Sequence, residues 1–482
     1  MILFFFGLAL LIIGYLTYGR FIEKIIAPDD RDTPAVSKFD GVDYVCLPHW
    51  KNMLIQLLNI AGVGPVIGVI LGVKFGSIVF IIIPIGNLIA GATHDFLSGM
   101  MSMRRDGANL PSLIKENLGN GYYKFFSVFM IFLLMLVVAV FINIPAVLID
   151  KSFPTVGIFW ASVVGIFAYY VLATLFPIDK IIGKIYPFFG AMLLIGSLAV
   201  LCSIMWNLLD NPSLLDESAA FESMKWTAEN GHPIIPLLFV TIACGIISGF
   251  HATQSPIIAR TLKSERQAKS SFYGMMVLEG LIAMIWAAAG LAVYNLFPDY
   301  FNVNPNDVLL LITKHFLGSW MGLITVVAVI ILAITSGDTA MRSMRLSLAE
   351  MFSIDQKSVS KRILTCVPLI LAVVGLLAWS QASEKSFGQL WNYFAWGNQV
   401  LAASTLMAAT VWLFKQKKNG YVSLIPGIFM TFIVISYIVW ISPEHGGPVG
   451  FGADLEASYI VAGIATLVLG GWVYKRAIKK KR

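Results

Sequence analysis

The chain has 482 residues, of which 58% are hydrophobic and only 13% charged, with a mean hydropathy of +0.80. That balance excludes an assembly of soluble domains and describes a polytopic membrane protein whose surface mostly faces lipid. The formal net charge of +7 does not signal nucleic acid, because the basic residues lie in short loops and the C-terminal "YKRAIKKKR", where they set orientation.

Apolar runs of about 20 residues predict an all-α chain of about thirteen transmembrane helices. They lie near 2–18, 52–73, 77–101, 122–147, 156–176, 185–207, 234–255, 272–296, 318–340, 363–380, 389–414, 421–441 and 456–474. The first run lacks a basic n-region and an A-x-A site, so it reads as a retained helix. The loops "MRRDG", "ARTLKSERQAK" and "KQKK" and the tail are basic, whereas 208–231 and 442–458 are acidic or neutral. All the basic loops then share one side. This places the C-terminus in the cytoplasm and the N-terminus outside. The four cysteines show no paired spacing, and no zinc, P-loop or nucleophile motif occurs, so neither a metal, a cofactor nor an enzyme is expected.

The second span carries "NIAGVGPVIG", in which Gly62, Gly64 and Pro65 interrupt an otherwise helical run. The seventh, five spans later, reads "CGIISGFHATQSP", with Gly249, His251, Thr253, Gln254 and Ser255 inside it. Two interrupted helices at matching positions point to inverted repeats, with the substrate held where both helices unwind. Five is odd, so the halves have opposite topology. The first repeat is expected at 52–207 and the inverted second at 234–414. Residues 1–51 form an extra helix and a cytoplasmic loop, and 421–474 two additional helices.

Ionisable groups at membrane depth are functional candidates. Glu279 lies one-third of the way along the eighth span with no opposite charge nearby in sequence, which suits a proton carrier. Thr335, Ser336, Asp338 and Thr339 put a carboxylate and three hydroxyls within about one turn of the ninth span, a set suited to Na⁺ or to a proton. Asp338 also stands four residues before Arg342. His94 and Asp95 end the apolar part of the third span, where they would pair with the Arg104–Arg105 loop or gate the inner vestibule. Asn398 and Gln399 are amides at depth in the eleventh span and candidate substrate ligands. Half-helix N-termini and hydroxyls suffice for one substrate carboxylate.

"LLNIAGVGPVIGVILG", "LIAGATHDFLSGMMSMRRDGANLPSLIKENLG", "CGIISGFHATQSP", "VLEGLIAMIW", "ITSGDTAMRSMRLSLAE" and "FAWGNQVLAASTL" follow one another from Asn59 to Leu406. In this order they resemble the signature segments of the carbon starvation protein family (CstA), in its shorter form. The resemblance implies a secondary transporter that takes up peptides or pyruvate across the bacterial inner membrane, with proton coupling. It also implies a leucine-transporter-like, APC-type core of five-plus-five inverted repeats, whose first broken helix and ninth span jointly hold a cation. Asp95 belongs to one of these segments. Ile55 and Gln56 stand where longer members tend to carry a histidine pair, and His94 where they tend to have glutamine, which bears on the proton route. Partners are thus a small-molecule substrate, H⁺ or Na⁺, and lipid. The alternatives are sodium coupling on the same fold, or a membrane starvation sensor.

Overall fold

A computed structural model describes residues 1–175, 178–217, 232–356, 358–445 and 447–478; side chains of 178–185, 302, 384 and 385 are excepted. Most of the acidic loop 208–231 and the end of the basic tail lie outside the described residues. Every regular element among those described is helical. Ten helices are long and apolar enough to cross a membrane, and the bent pair His49–Ile60 and Gly64–Phe75 makes an eleventh. The two remaining predicted spans are also helical. Span 7 is a string of short helices from Ile234 to Ala259, and span 11 is the 32-residue helix Glu384–Lys415.

Several boundaries move outward. Span 1 runs Ile2–Leu16 and, past Thr17, Tyr18–Ile26. Span 4 is Asn120–Ser152, and span 9 extends over Pro305–Met351 with a break at Gly318, whose φ of +69° favours glycine. Spans 3 (Val79–Met103), 4 and 8 (Glu265–Leu296) form the interior. In the most apolar stretch of span 8, 89% of residues are buried, against 28% in spans 1, 5 (Ile158–Leu175) and 13 (Leu455–Ile478), so Glu279 sits on the most enclosed of these ten helices.

Both anticipated breaks are present. Span 2 bends by 58° between Ile60 and Gly64. Ala61 leaves the helical region with ψ at +71°, and Pro65, which has no N–H to satisfy, opens the second half. Span 7 is extended at Ile247 and Ser248 before Gly249–Ala259 resumes the helix.

Glycine spacing sets how the two broken spans pack. A Cβ on Gly64 would stand 2.2 Å from the Cys244 Cβ, one on Gly68 2.8 Å from the Thr241 carbonyl oxygen, and one on Gly72 2.1 Å from Ile242 Cγ2. Gly64, Gly68 and Gly72 therefore form a small-residue stripe, one per turn, along which the second half of span 2 lies against the first half of span 7. Gly62 faces Phe141, and Gly249 faces the Asn398 carbonyl and the Ala402 nitrogen. Close packing, more than release of backbone, accounts for these glycines.

Candidate substrate and ion-coupling site

Span 11 holds the break of span 7 in shape. The Asn398 carboxamide oxygen accepts from the Phe250 N–H at 2.6 Å, and its Nδ2 donates to Ser248 Oγ at 2.9 Å. Gln399 Nε2 donates to the Ile247 carbonyl at 3.0 Å. The two amides expected to meet substrate thus serve the unwound backbone; only Gln399 Oε1 lacks a partner. Buried backbone groups outside a helix need such partners. Asn87, on span 3, similarly bridges the Gly245 and Met276 carbonyls of spans 7 and 8 at 3.3 and 2.9 Å.

Immediately past this break, His251 opens a chain of ionisable groups. Its Nδ1 lies 2.9 Å from Asp95 Oδ2, while the other Asp95 oxygen lies 2.8 Å from His94 Nδ1. His251 Nε2 stands 3.8 Å from Glu279 Oε2. All four side chains are fully buried. Spans 3, 7 and 8 each contribute to this one line of contacts, and the Ile60 backbone at the break of span 2 faces the His251 ring. A carboxylate only accepts, so an ionised Asp95 requires a proton on Nδ1 of both imidazoles. On a neutral His251 the Nε2 lone pair then points towards Glu279.

The expected pairing of His94 and Asp95 with the Arg104–Arg105 loop does not occur. Arg104 instead grips Glu265, with its NH2 group 2.9 Å from Oε2, and Arg105 pairs with Glu116. Loop distance explains the difference: the arginines lie on the turn beyond span 3, whereas Asp95 faces span 7 from within it.

The ninth-span cluster also resolves differently. Asp338 Oδ2 accepts from Tyr186 at 2.5 Å and Tyr169 at 3.3 Å, on spans 6 (Ile178–Asp210) and 5. Arg342 reaches the Ala173 carbonyl at 2.5 Å and lies 3.5 Å from Asp43, rather than forming the i,i+4 pair with Asp338. Thr335 and Thr339 return their hydroxyls to their own helix, while Ser336 donates to the Leu58 carbonyl of span 2 at 3.0 Å. Span 9 thus meets the first broken helix through Ser336. Thr253 and Ser255 donate to the Phe250 and His251 carbonyls; Ser255 also meets Ser98, and Gln254 donates to Thr253 at 2.8 Å. Among the described residues no group of three or more His, Cys, Asp or Glu side chains is arranged to hold a metal ion.

Matches to the family described as Carbon starvation protein CstA cover residues 1–166, 158–315 and 306–437. The chain belongs to this family. An uncharacterized membrane protein of Haemophilus influenzae is 39% identical over 343 residues, covering 61% of this chain and 91% of its own length. The Escherichia coli protein named peptide transporter CstA is 25% identical, over 86% of this chain and 77% of its own. The Escherichia coli pyruvate/proton symporter BtsT is 27% identical over 57% of this chain, which spans 46% of that protein. Among solved structures, an Eremococcus coleocola manganese transporter aligns at a TM-score of 0.54 and 15% identity, covering 91% of this chain and 98% of its own. MhsT in complex with L-phenylalanine aligns at 0.57 and 11%, covering 90% and 99%. These likenesses establish the leucine-transporter-like fold.

Three contributors to the site in this CstA-family chain escape a reading of sequence: Asn87, Tyr169 and Tyr186. The available signal is chemical. A phenol or carboxamide in an apolar span needs a buried partner, and Asp338 and the unwound carbonyls were the groups requiring donors.

Proposed function

We propose that this protein is a secondary active transporter, importing small carboxylated nutrients, peptides or pyruvate, across the bacterial inner membrane by alternating access with proton coupling. The observation that carries the proposal is the buried line Glu279, His251, Asp95, His94 at the break of span 7. An ionised Asp95, one imidazolium and a protonated Glu279 together carry no net charge, and loss of one proton leaves a buried charge of −1. Such a charge is costly without water or a partner, so protonation state and conformation become linked. The family membership and the names of the relatives support transport as the activity, and BtsT's name supports protons.

In this reading the repeats are 52–207 and 234–414, with 421–474 added, and the basic loops are cytoplasmic. The substrate lies near the two breaks, its carboxylate facing half-helix N–H groups. A second reading, sodium coupling, is favoured by the meeting of Ser336 with the Leu58 carbonyl beside Asp338.

Uptake of labelled pyruvate and of a labelled dipeptide into proteoliposomes, under separate pH and sodium gradients, tests both. Acid-driven accumulation that Glu279→Gln abolishes while facilitated exchange survives supports the proton reading. Sodium-driven accumulation lost in Ser336→Ala supports the second. Flux of neither solute under either gradient rejects both and favours a sensor.

A further inference from the structure

A cavity of about 770 Å³ lies on the opposite side of the two breaks from the cytoplasmic loop 27–48. Its walls come from the second half of span 2, the first half of span 7, the end of span 4, the start of span 9 and the turn between spans 10 (Val359–Ser380) and 11. Five carboxamides line it, Asn143, Asn304, Asn306, Gln381 and Asn392, together with the indole of Trp391. None of its described lining residues is charged. Lys151, four residues past Val147, and Asp307, next to Asn306, pair with each other at 2.5 Å.

These amides are not all occupied by local structure. Asn304 caps the start of span 9 by accepting from the Asn306 N–H at 3.0 Å. Asn306 is 5% exposed and its Oδ1 is buried with no partner. Asn143 is 4% exposed. Ile67 and Leu71 of span 2 and Val240 and Thr241 of span 7 line it beside the glycine stripe, where Gly68 approaches Thr241, and none of Glu279, His251, Asp95 and His94 is among its described lining residues.

A carboxamide offers both donors and acceptors, and so complements another amide, but it carries no charge to offset an anion. A ring of five amides around apolar walls suits an uncharged, amide-bearing group. A free monocarboxylate gains little there and keeps its hydration. We propose that this vestibule is a separate binding site for an amide-bearing solute, a peptide bond or a carboxamide, held by Asn143, Asn306 and Asn392. The proposal rests on the transport reading above for its claim that a solute passes this way. It makes the outer site selective for amides, while a carboxylate is dealt with only at the breaks.

The test reads occupancy rather than flux. Gln381→Cys, in proteoliposomes, is labelled with a membrane-impermeant maleimide, with the unsubstituted protein as blank. The probes are N-acetylglycinamide, a neutral diamide, and pyruvate. At a diamide concentration ten times its Kd, occupancy slows labelling by about tenfold, pyruvate has no effect, and adding Asn306→Ala removes the protection. Quenching of tryptophan emission by the diamide, absent in Trp391→Phe, gives the same result without a cysteine. No protection and no quenching overturns the site, as does protection by pyruvate equal to that by the diamide. Protection by the diamide in a protein that transports neither pyruvate nor dipeptide sustains this site and rejects the transport reading instead.

Discussion

Gly64→Ala is the sharpest probe of how the two broken helices fit. The new Cβ would stand 2.2 Å from Cys244 Cβ, which the backbone fixes, and 2.4 Å from its Sγ. Carbon pairs rest at about 3.5–4.0 Å, so the half-helices must part by more than about 1 Å or the new methyl must displace the Cys244 backbone. Overpacking of this kind costs about 1–3 kcal/mol. The neighbouring turns leave little room to absorb it, because a Cβ on Gly68 or Gly72 would stand 2.8 or 2.1 Å from span 7. Cys244→Gly removes the opposing Cβ and alone costs about 1 kcal/mol in helix propensity. The double variant is therefore expected to recover about 1–2 kcal/mol of coupling, whereas Cys244→Ser, which keeps Cβ, recovers none. Thermal unfolding in detergent, followed by tryptophan emission, ranks the unsubstituted protein, the three single variants and the two double variants, and uptake or diamide binding shows whether the seam matters to function. A neutral Gly64→Ala, or equal rescue by serine and glycine at 244, refutes the close approach.

Asn398→Ala leaves the Phe250 N–H and the Ser248 hydroxyl without their partner, at a cost of about 1–3 kcal/mol for a buried unsatisfied group. Asn398→Asp retains the acceptor for Phe250, so it is expected to protect that amide from hydrogen exchange better than alanine does; equal exchange in the two variants contradicts the capping role. On the loop face, Arg104→Ala removes the shorter of two guanidinium contacts to Glu265, which is 1% exposed and keeps Arg31 at 3.7 Å and the Asp29 N–H, at a cost of about 1.5–3 kcal/mol. Arg105→Ala removes an exposed pair with Glu116 worth about 0–1 kcal/mol, so similar falls in Tm for the two would rule out the ranking.

The helices and both breaks were legible because hydropathy and Gly/Pro punctuation act locally. What each polar group touches was not. Sequence offers Asp95 the Arg104–Arg105 loop or a gating role, whereas its two oxygens meet His94 beside it and His251, more than 150 positions away. Helical spacing offers Asp338 only Arg342 as a charged neighbour, but the phenols that reach it come from two other spans. The hydroxyl protons of Thr335 and Thr339 each go to a carbonyl of their own helix, which leaves the oxygen lone pairs as the groups that face outward. In a membrane helix a hydroxyl near the i−3 or i−4 carbonyl takes that bond by default. Gly64 shows the same limit from the other direction, since a glycine that unwinds a helix and one that admits a neighbour look alike until Cys244 is in place.

The two halves of span 7 tie the vestibule to the ionisable line. Its first half walls the cavity with Val240 and Thr241, and its second half carries His251. Only Ile247 and Ser248 join them, and the backbone on both sides of that joint is held by Asn398 and Gln399 of span 11. At 3.8 Å the His251–Glu279 contact is too long for proton exchange, which needs about 2.6–3.2 Å. Under the transport reading, a rotation at this joint that shortens the contact by about 1 Å is enough to permit exchange. The same rotation must move the cavity wall or strain the glycine stripe, because Gly64 and Gly68 leave no slack against Cys244 and Thr241. Tight packing on one side of the break is thus what would convert a solute in the vestibule into a change in proton contact on the other, and a loosened seam would uncouple them before it unfolded the protein.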